Sequence, residues 1–500
     1  MSKTKQKVEI ADNAGVTHTL KVTIPDTWEV VPLKTVLEDI VGGGTPSRDN
    51  PSYWNGSIPW LTVKDMRTRR PEDSIDHISE VAVRDSATNI IPADTVIIAT
   101  RIGLGKVIRV PYDAAINQDL KALITKPTVD KSYLEYWIYS IASYLESIGS
   151  GTTVKGIRLE HVRSLPFPLA PLDQQKRIVA EIEKQFSRLD EAVANLKRVK
   201  ANLKRYKAAV LKAAVEGRLV ETEAELARRE GRSYETGEQL VRRILETRRS
   251  QWRGKGKYKE PAAPDTANLP PLPEGWTWAT IDGLVREPLR NGHSAKATKT
   301  GRGLRAFTLS AITEGDFSEQ NTKLTVASAA KVVDLWAQPG DIFIERSNTP
   351  ELVGIARLYK GTPNFAFFPD LLIRVRTSAL LDTRYLEICL LSESVRNYFR
   401  SRAQGISGTM PKIDQQTIEL ATIPLPPLAE QSRIINEVER RLSLVREVKA
   451  QVDTNLKRAE RLRQSILSRA FSGQLFRYVV GIPGIPPSLP TKIRNQRTTA

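Results

Sequence analysis

The sequence predicts an α+β protein in which two mixed α/β domains are joined by two long helices that form an antiparallel coiled coil. Three observations support this fold class. The chain has 500 residues, which is too many for one ordinary domain. One long segment occurs twice, and in both copies the apolar residues recur at helical spacing. The fold is therefore predicted to be a pseudo-twofold internal repeat.

The repeat is clearest in a short peptide near the middle of each half. The sequence PLDQQKRI at residues 171–178 returns as PLAEQSRI at residues 427–434, an offset of 256 residues. The register then holds without a gap as far as Leu219 and Leu475. The starts of the halves also match, because Trp28 and Trp276 end similar tetrapeptides at an offset of 248 residues. The chain is thus predicted to contain two copies of one structural repeat, with a longer insert in the second copy.

Each repeated segment is predicted to be one long helix. Apolar residues recur in steps of three, four or seven from Ile178 to Val210, and glycines at 217 and 473 stand where the helices should end. A helix of more than 40 residues is about 60 Å long, which exceeds the width of a small domain. We therefore expect the two narrow apolar seams to pack against each other. For either helix alone, packing on its own domain is the alternative.

The segment that precedes each long helix shares only one short pattern between the copies, a strand, a basic loop and another strand. The remainder diverges, so a constant frame is predicted to carry two different inserts. The pattern occupies residues 92–98, 101–106 and 107–108 in the first copy, and 339–344, 346–350 and 354–355 in the second.

These features predict six segments along the chain. The linker between the halves and the C-terminal tail are basic and rich in proline, and the tail is predicted to be disordered. The segments are a first domain at 1–170, a first helix at 171–220, a helix and linker at 221–275, a second domain at 276–426, a second helix at 427–476, and the tail at 477–500.

Composition favours a polyanionic partner and argues against metal. Lysine and arginine outnumber aspartate and glutamate by 75 to 57, which gives a formal net charge of +18. No apolar stretch is long enough to span a bilayer or to form a signal peptide, so a cytoplasmic location is expected. The single cysteine, Cys389, excludes disulfides, and the four histidines lack metal-ligand spacing.

Motifs for catalysis are incomplete. The chain has no Asn-Pro-Pro-Tyr-like tetrad, which an adenine methyltransferase needs to hold a flipped base. Residues 103–106 resemble a phosphate loop but lack its first glycine and the hydroxyl residue after Lys106. Asp341 and Glu345 resemble a nuclease carboxylate pair, but a turn aspartate and a strand residue explain them better.

Contact with DNA needs cations for phosphate and planar hydrogen-bonding groups for base edges. Arg101 and Arg346 are the strongest candidates because both follow the duplicated strand. For each other candidate, a solvated surface charge is the alternative. Thr152, Thr153 and residues 407–409 could donate to phosphate or only shape a turn. The candidates are Lys64, Arg67, Arg69, Arg70, Arg101, Lys106 and Lys155 in the first domain, and Arg290, Asn291, Lys296, Arg302, Arg305, Arg346, Asn348 and Lys412 in the second.

The order of these segments resembles that of type I restriction-modification specificity subunits. The shared order is a variable segment, a helix that starts Pro-Leu-x-x-Gln-x-x-Ile and ends in Gly-x-Leu, a linker ending in Leu-Pro-Glu-Gly-Trp, and a second segment with a second such helix. The second copy departs from the pattern, because RNGH at 290–293 replaces GGTP at 43–46. The resemblance covers residues 25–476, with further matching stretches at 53–54, 58–61, 257–265 and 350–354.

The resemblance implies two target-recognition domains, each recognising one half of a bipartite double-stranded DNA target. It implies two modification subunits that methylate adenine with S-adenosylmethionine, and restriction subunits that translocate and cut DNA. S-adenosylmethionine, ATP and magnesium are expected on those partners, with no cofactor on this non-catalytic chain and no membrane association. The alternative from another class is a structural adaptor whose coiled coil joins two protein-binding domains.

Overall fold

The chain forms two compact units in the computed structural model. The first comprises Met1–Leu196 with Thr454–Ala500, and the second comprises Lys197–Asp453. The structure describes residues 3–11, 17–150, 155–252, 257–299, 301–313, 315, 317–405 and 410–475. The predicted tail at 477–500 and the hydroxyl residues at 152–153 and 407–409 lie outside these ranges.

The first unit begins with a hairpin and continues through short strands and helices to a long helix. Two 3-10 turns, Leu33–Val36 and Pro51–Trp54, lie between its strands. The strands are β1 (Lys3–Ala11), β2 (Thr17–Pro25), β3 (Glu29–Pro32), β4 (Leu37–Gly42), β5 (Ile58–Leu61), β6 (Asp76–Ile78), β7 (Ile90–Ile91), β8 (Val96–Ala99), β9 (Val107–Ile108), β10 (Ala114–Ile116), β11 (Leu120–Thr125) and β12 (Pro166–Leu169). The helices are α1 (Glu80–Asp85), α2 (Lys131–Ser140), α3 (Ala142–Ser147), α4 (Leu159–Ser164) and α5 (Leu172–Val215).

Two four-stranded sheets form the centre of the first unit. Their strand orders are β6-β5-β10-β7 and β4-β11-β8-β9, and β3 pairs separately with β12. Strand β8 (Val96–Ala99) is buried along its whole length because other elements cover both faces of its sheet. Helix α2 packs on this sheet through Tyr133, Leu134 and Trp137, which belong to the main apolar core.

The second unit repeats this order with a larger insert. Its helices are α6 (Glu223–Glu230), α7 (Gly237–Ser250), α8 (Ile281–Leu284), α9 (Ser310–Thr313), α10 (Ala329–Val332), α11 (Thr383–Leu391), α12 (Glu393–Arg402), α13 (Gln415–Glu419) and α14 (Leu428–Phe471). Its strands are β13 (Thr277–Thr280), β14 (Arg290–Asn291), β15 (Leu304–Phe307), β16 (Thr322–Thr325), β17 (Ile342–Glu345), β18 (Ala356–Leu358), β19 (Leu372–Val375) and β20 (Thr422–Leu425).

One sheet in each unit has the same construction. The order β14-β19-β17-β18 in the second unit matches β4-β11-β8-β9 in the first, and β13 pairs with β20 as β3 pairs with β12. The hairpin of β15 and β16 has its own aromatic core around Phe307, Phe343 and Phe367. The duplicated strand, loop and strand predicted from the sequence correspond to β8 and β9 in one unit and to β17 and β18 in the other, although β18 begins at Ala356, just after the predicted residues 354–355.

The long helices α5 and α14 run antiparallel within each unit. In the first unit, Ile178 and Phe186 of α5 share an apolar core with Ile466 and Ala470 of α14. In the second, Val210, Leu211 and Ala214 of α5 pack with Ile434, Ile435 and Val438 of α14. The α+β class with paired long helices is confirmed.

The seam between the long helices differs in one respect from the prediction. The ends of this seam are buried in the apolar cores of the units. At its ends, each long helix therefore packs both on a globular domain and on the other long helix. Farther along the helices, Tyr206 and Leu462 are each 45% exposed, although the apolar periodicity of the sequence predicts that both lie in the seam. Two helices that pack alone bury only a narrow stripe, and these positions lie at its border.

Both long helices end at a glycine, in the same way. Gly217 and Gly473 have left-handed backbone, with φ of +66° and +65°. A Cβ on Gly217 would lie 2.4 Å from Pro273, and one on Gly473 would lie 2.2 Å from Pro25. Both positions therefore require glycine, for backbone conformation and for space.

Candidate nucleic-acid interface

A basic loop follows the central strand β8 in the first unit. Arg101 forms an isolated β-bridge with Gly156, and the N–H of Ile102 donates to the carbonyl of Lys155 at 3.3 Å. The side chains of Arg101, Lys106 and Lys155 are exposed. Two adjoining backbone segments therefore carry three of the cations that the sequence predicts to contact DNA.

Two glycines shape this loop. Gly103 and Gly105 have φ of +86° and +82°, a left-handed conformation that favours glycine. A Cβ on Gly105 would lie 2.8 Å from that of Ala142, and one on Gly103 would lie 3.1 Å from Val63 Cγ1. The approach to Val63 places the exposed Lys64 beside the same loop.

The GGTP segment at residues 43–46 lies against the turn between β10 and β11. Thr45 donates from its hydroxyl to Gln118 Oε1, and a Cβ on Gly43 would lie 1.8 Å from the carbonyl oxygen of Ile116. The same turn accepts the N–H of Thr100 at the carbonyl of Asp119, at 2.8 Å. We call this surface the first loop cluster, which comprises residues 43–46, 62–65, 101–106, 117–119 and 155–157.

Arg101 is paired with a carboxylate in the first loop cluster. Its guanidinium lies 3.4 Å from the carboxylate of Asp119 and is 51% exposed. Burial lowers the pKa of Lys121 on the neighbouring strand; Asp119 opposes this shift, and the positive charge of Arg101 adds to it. The loop thus keeps a cation accessible to solvent while one carboxylate holds its position.

Arg69 and Arg70 lie elsewhere in the first unit. The buried carboxylate of Glu135 accepts from Arg69 at 3.0 Å and from two nitrogens of Arg70 at 2.6 Å, and from Arg109 at 2.8 Å. Burial would raise the pKa of Glu135, but the three guanidinium groups bring it below its ordinary value. Because Arg109 follows β9, which is antiparallel to β8, this ion cluster lies at the end of the sheet opposite Arg101. The remaining candidate, Arg67, is exposed, and its N–H donates to the Asp65 carbonyl at 2.8 Å.

The second unit builds a corresponding surface after β17. The N–H of Arg346 donates to the carbonyl of Leu371 at 2.8 Å, and the N–H of Ile413 donates to the carbonyl of Arg346 at 2.9 Å. Ser347 forms a β-bridge with Lys412. Arg346 and Lys412 are therefore neighbours in the second unit, as Arg101 and Lys155 are in the first.

Asn291 joins this surface through Gln415, whose Nε2 donates to Asn291 Oδ1 at 3.2 Å. A Cβ on the next residue, Gly292, would lie 2.2 Å from the carbonyl oxygen of Phe368. Gly292 thus occupies the place that Gly43 has in the first unit, although the RNGH and GGTP motifs look unrelated. We call this surface the second loop cluster, which comprises residues 291–294, 346–350, 369–371 and 412–415.

A buried carboxyl group holds Asn348 in the second loop cluster. Glu345, the last residue of β17, is fully buried, and its Oε1 accepts from Asn348 Nδ2 at 2.6 Å. Its other oxygen has no hydrogen-bond partner among the described residues. Burial raises the pKa of Glu345 to about 7, although Asn348 and the charge of Arg396 oppose the shift.

Three other candidates of the second unit, Lys296, Arg302 and Arg305, lie around β15 and β16, whereas Arg290 lies on β14 of the four-stranded sheet. Arg305 donates to Thr322 Oγ1 at 3.0 Å and lies over the ring of Phe365. Arg302 is exposed on the segment that leads into β15, and the carbonyl of Lys296 accepts from a residue that follows β16. Arg290 pairs with Arg374 across β14 and β19, and its guanidinium lies 3.8 Å from Asp334.

The suspected nuclease pair is accounted for by local contacts. Asp341 accepts from Arg376 Nε at 2.6 Å, and Glu345 holds Asn348. Among the described residues, no group of three His, Cys, Asp or Glu side chains could hold a metal ion. Within the same ranges, none of the helices combines the length and apolar character needed to cross a bilayer.

Sequence reasoning missed a second repeated motif, Asp-x-x-Tyr-Leu-Glu, at residues 130–135 and 382–387. Each aspartate caps a helix, α2 or α11. The hydroxyl of Tyr133 donates to the Pro168 carbonyl at 2.9 Å, and that of Tyr385 donates to Pro424 at 2.7 Å. An offset of 252 residues, between the 248 and 256 found elsewhere, was the available signal.

Comparison with known proteins gives one consistent result. Residues 25–205 match the family described as type I restriction modification DNA specificity domain. The EcoKI specificity subunit of Escherichia coli is 23% identical over 464 residues, which cover 90% of this chain and 90% of the relative. The MjaIX specificity subunit of Methanocaldococcus jannaschii is 32% identical over 185 residues, which cover 35% of this chain and 40% of the relative.

A solved structure agrees on the fold. A chain from a study of complex assembly and conformational transition of the type I R-M system superposes with a TM-score of 0.63 at 17% sequence identity. The alignment covers 90% of this chain and 99% of that chain. The family match over residues 25–205 and the similarity along most of the chain show that this protein is similar to type I restriction-modification specificity subunits, and the solved structure shows that it shares the fold of that chain.

Proposed function

We propose that this chain recognises a bipartite double-stranded DNA target, one half with each unit, and directs the partner subunits of a type I restriction-modification complex to it. The observation that carries the proposal is the equivalent construction of the two loop clusters. Arg101 lies beside Lys155 in one unit, and Arg346 lies beside Lys412 in the other. A chain with two basic surfaces of the same construction suits a DNA target in two parts, because each surface can bind one part.

The residue types in the loop clusters suit both kinds of DNA contact. Lysine supplies a point charge for phosphate, whereas arginine and asparagine have planar groups that bond to the edges of guanine and adenine. Asn348 Nδ2 donates to the buried Glu345 and its Oδ1 accepts the N–H of Thr349, so one amide hydrogen and one oxygen lone pair remain for a base. Since RNGH replaces GGTP in the second loop cluster, we expect the two half-sites to differ in sequence.

The chemistry is assigned to other subunits. The chain lacks an Asn-Pro-Pro-Tyr-like tetrad, and residues 103–106 are an incomplete phosphate loop. We therefore propose two modification subunits that hold S-adenosylmethionine, and restriction subunits that hold ATP and magnesium, with this chain as the non-catalytic member of a cytoplasmic complex. The purified chain alone should neither methylate nor cleave DNA, and methyl transfer by a preparation free of other subunits would contradict this assignment.

A gel shift with a random-sequence duplex tests the binding surface. If the loop clusters contact phosphates, the logarithm of the affinity should fall linearly with the logarithm of the salt concentration, by about 0.9 per neutralised phosphate. A structural adaptor with incidental basic charge would show no such dependence.

Methylome sequencing of a host that expresses the chain with its modification subunits identifies the target. Exchanging residues 276–426 for the equivalent segment of another specificity subunit should then change one half-site and leave the other intact. If both half-sites changed together, the assignment of one half to each unit would be wrong.

A further inference from the structure

A strongly charged surface lies on the part of α5 that belongs to the second unit. From residue 192 to residue 215 the sequence contains no aspartate or glutamate, yet it contains seven lysine or arginine residues. All seven side chains are exposed. We call them the cationic face: Lys197, Arg198, Lys200, Lys204, Arg205, Lys207 and Lys212.

The seven cations share one side of the helix. At about 100° per residue they fall within a half-circle, and the seam residues Leu203 and Val210 lie in the opposite half. The structure agrees, because Val210 is buried and Leu203 is partly buried. The centre of that opposite half carries Val199 and Tyr206, which are 40% and 45% exposed. Ala201 and Ala208 are exposed between the cations. The exposed side chains of this half-circle therefore form a cationic strip with alanines between the cations, whereas Leu211, which also falls within the half-circle, is buried in the core of the second unit.

The helix repeat itself does not require this strip. At the offset of 256 residues, the segment 453–468 of α14 carries four basic and two acidic residues. The part of α14 in the same unit, residues 428–453, carries five of each. Like charges three or four positions apart, such as Lys200 and Lys204, destabilise a helix. The strip thus costs stability that neither the packing nor the repeat explains.

Acidic groups lie beside part of the strip. Lys200 lies 2.7 Å from Asp453, and Lys212 lies 3.9 Å from Glu216. Among the described residues, Lys197, Lys204 and Arg205 form no ion pair within 4 Å. A polyanion placed along the strip would relieve the repulsion between these cations.

We propose that the cationic face binds the phosphates of the unread base pairs between the two half-sites. This inference rests on the proposed function. The composition favours DNA over an acidic protein surface, because protein interfaces depend on buried aromatic and apolar anchors. Phosphate binding needs only accessible cations and is independent of sequence, which suits base pairs that are not recognised.

The test uses the full chain and a duplex that carries the target found by methylome sequencing. A triple variant, Lys197→Gln with Lys204→Gln and Arg205→Gln, removes three charges while glutamine preserves helix propensity. The slope of log affinity against log salt should become shallower by about 2 to 3, and affinity at low salt should fall by tenfold or more. A matched triple variant, Arg446→Gln with Lys331→Gln and Lys360→Gln, makes the same charge change away from the strip and should alter the slope by less than half as much. Circular dichroism checks that all variants are folded.

A second duplex locates the contact. Its unread base pairs carry uncharged methylphosphonates in place of phosphates, and its half-sites are unchanged. The wild-type chain should lose affinity for this duplex, whereas the triple variant should bind both duplexes equally. Equal binding of both duplexes by the wild-type chain would overturn the inference. A triple variant that binds DNA normally but fails to assemble with modification subunits would also overturn it, because the strip would then be a protein interface. If the wild-type chain bound no DNA at all, the proposed function itself would fail.

Discussion

Trp276 donates a hydrogen bond from its indole to Glu430 Oε1 at 3.0 Å, and Trp28 donates the equivalent bond to Gln174 Oε1 at 2.8 Å. In each unit this bond joins the residue before a strand, β3 or β13, to the first turn of a long helix. The second unit adds a further bond, because Glu430 Oε2 accepts the N–H of Glu223 at 2.8 Å. Burial raises the pKa of Glu430, and these donors and Arg433 oppose the shift.

The two positions should respond differently to exchange of their side chains. In Glu430→Gln the amide nitrogen must face either the indole N–H of Trp276 or the N–H of Glu223, so one buried donor loses its acceptor. We expect a loss of about 1 to 3 kcal/mol in the free energy of unfolding of the second unit. Gln174→Glu keeps its single acceptor and should cost less than about 1 kcal/mol. Chemical denaturation and hydrogen exchange at the Glu223 amide measure the difference, and equal effects would contradict it.

Glu345 should make the stability of the second unit depend on pH. Its pKa is about 7 in the folded chain, above the ordinary value for glutamate, so the folded state holds a proton that the unfolded state releases. Its contribution to stability is therefore complete at low pH and is lost as pH rises from about 4.5 to about 7. The groups that face the carboxyl are Asn348 and Arg396.

The Glu345→Gln variant removes this titration and retains an acceptor for Asn348. From pH 5 to pH 8, the wild-type chain should lose on the order of 2 kcal/mol relative to the variant. The control is Glu387→Gln, in which a different carboxylate of the same unit is neutralised. Denaturation at several pH values checks the prediction, and parallel curves for the wild-type and Glu345→Gln chains would refute it.

Glu135 should be a stability hot spot of the first unit. Removal of its carboxylate by Glu135→Ala leaves Arg69, Arg70 and Arg109 without their shared counter-ion. Breaking a buried pair in this way typically costs about 3 to 5 kcal/mol. The equivalent residue Glu387 accepts, among the described residues, only the N–H of Leu358, at 2.9 Å, so Glu387→Ala should cost about 1 to 3 kcal/mol. Urea denaturation of both variants compares them, and the prediction fails if the second is the more damaging.

The sequence was sufficient to predict the repeated long helices, whereas less of the two divergent inserts could be predicted from it. The long helices follow from apolar periodicity over more than 40 residues, a signal that local exceptions such as Tyr206 do not hide. The basic loops after β8 and β17 were found because they adjoin the most regular part of the repeat. The role of Arg70 could not be predicted, because its partner Glu135 lies 65 residues away and only tertiary packing joins them. Gly292 was not matched to Gly43 because the equivalence lies in close backbone approach and not in neighbouring side chains.

The last prediction concerns the number of unread base pairs between the half-sites. Both long helices pass from one unit to the other, with the unit boundaries after Leu196 and Asp453. Lys200 lies 2.7 Å from Asp453, so insertions after Lys197 and Asp453 fall near each other on the paired helices. Four residues add about 6 Å and about 40° of net rotation to each helix. One base pair adds about 3.4 Å and about 35°.

Matched four-residue insertions at these two positions should therefore keep both half-sites and lengthen the unread spacer by one or two base pairs. Four residues also form a stutter, which a coiled coil absorbs by local unwinding. The control is a chain with an insertion after Lys197 alone, which shifts the register of the two helices and should reduce activity. Methylome sequencing of cells that carry each variant gives the spacer directly. An active double-insertion variant with an unchanged spacer would show that the paired helices do not set the distance between the half-sites.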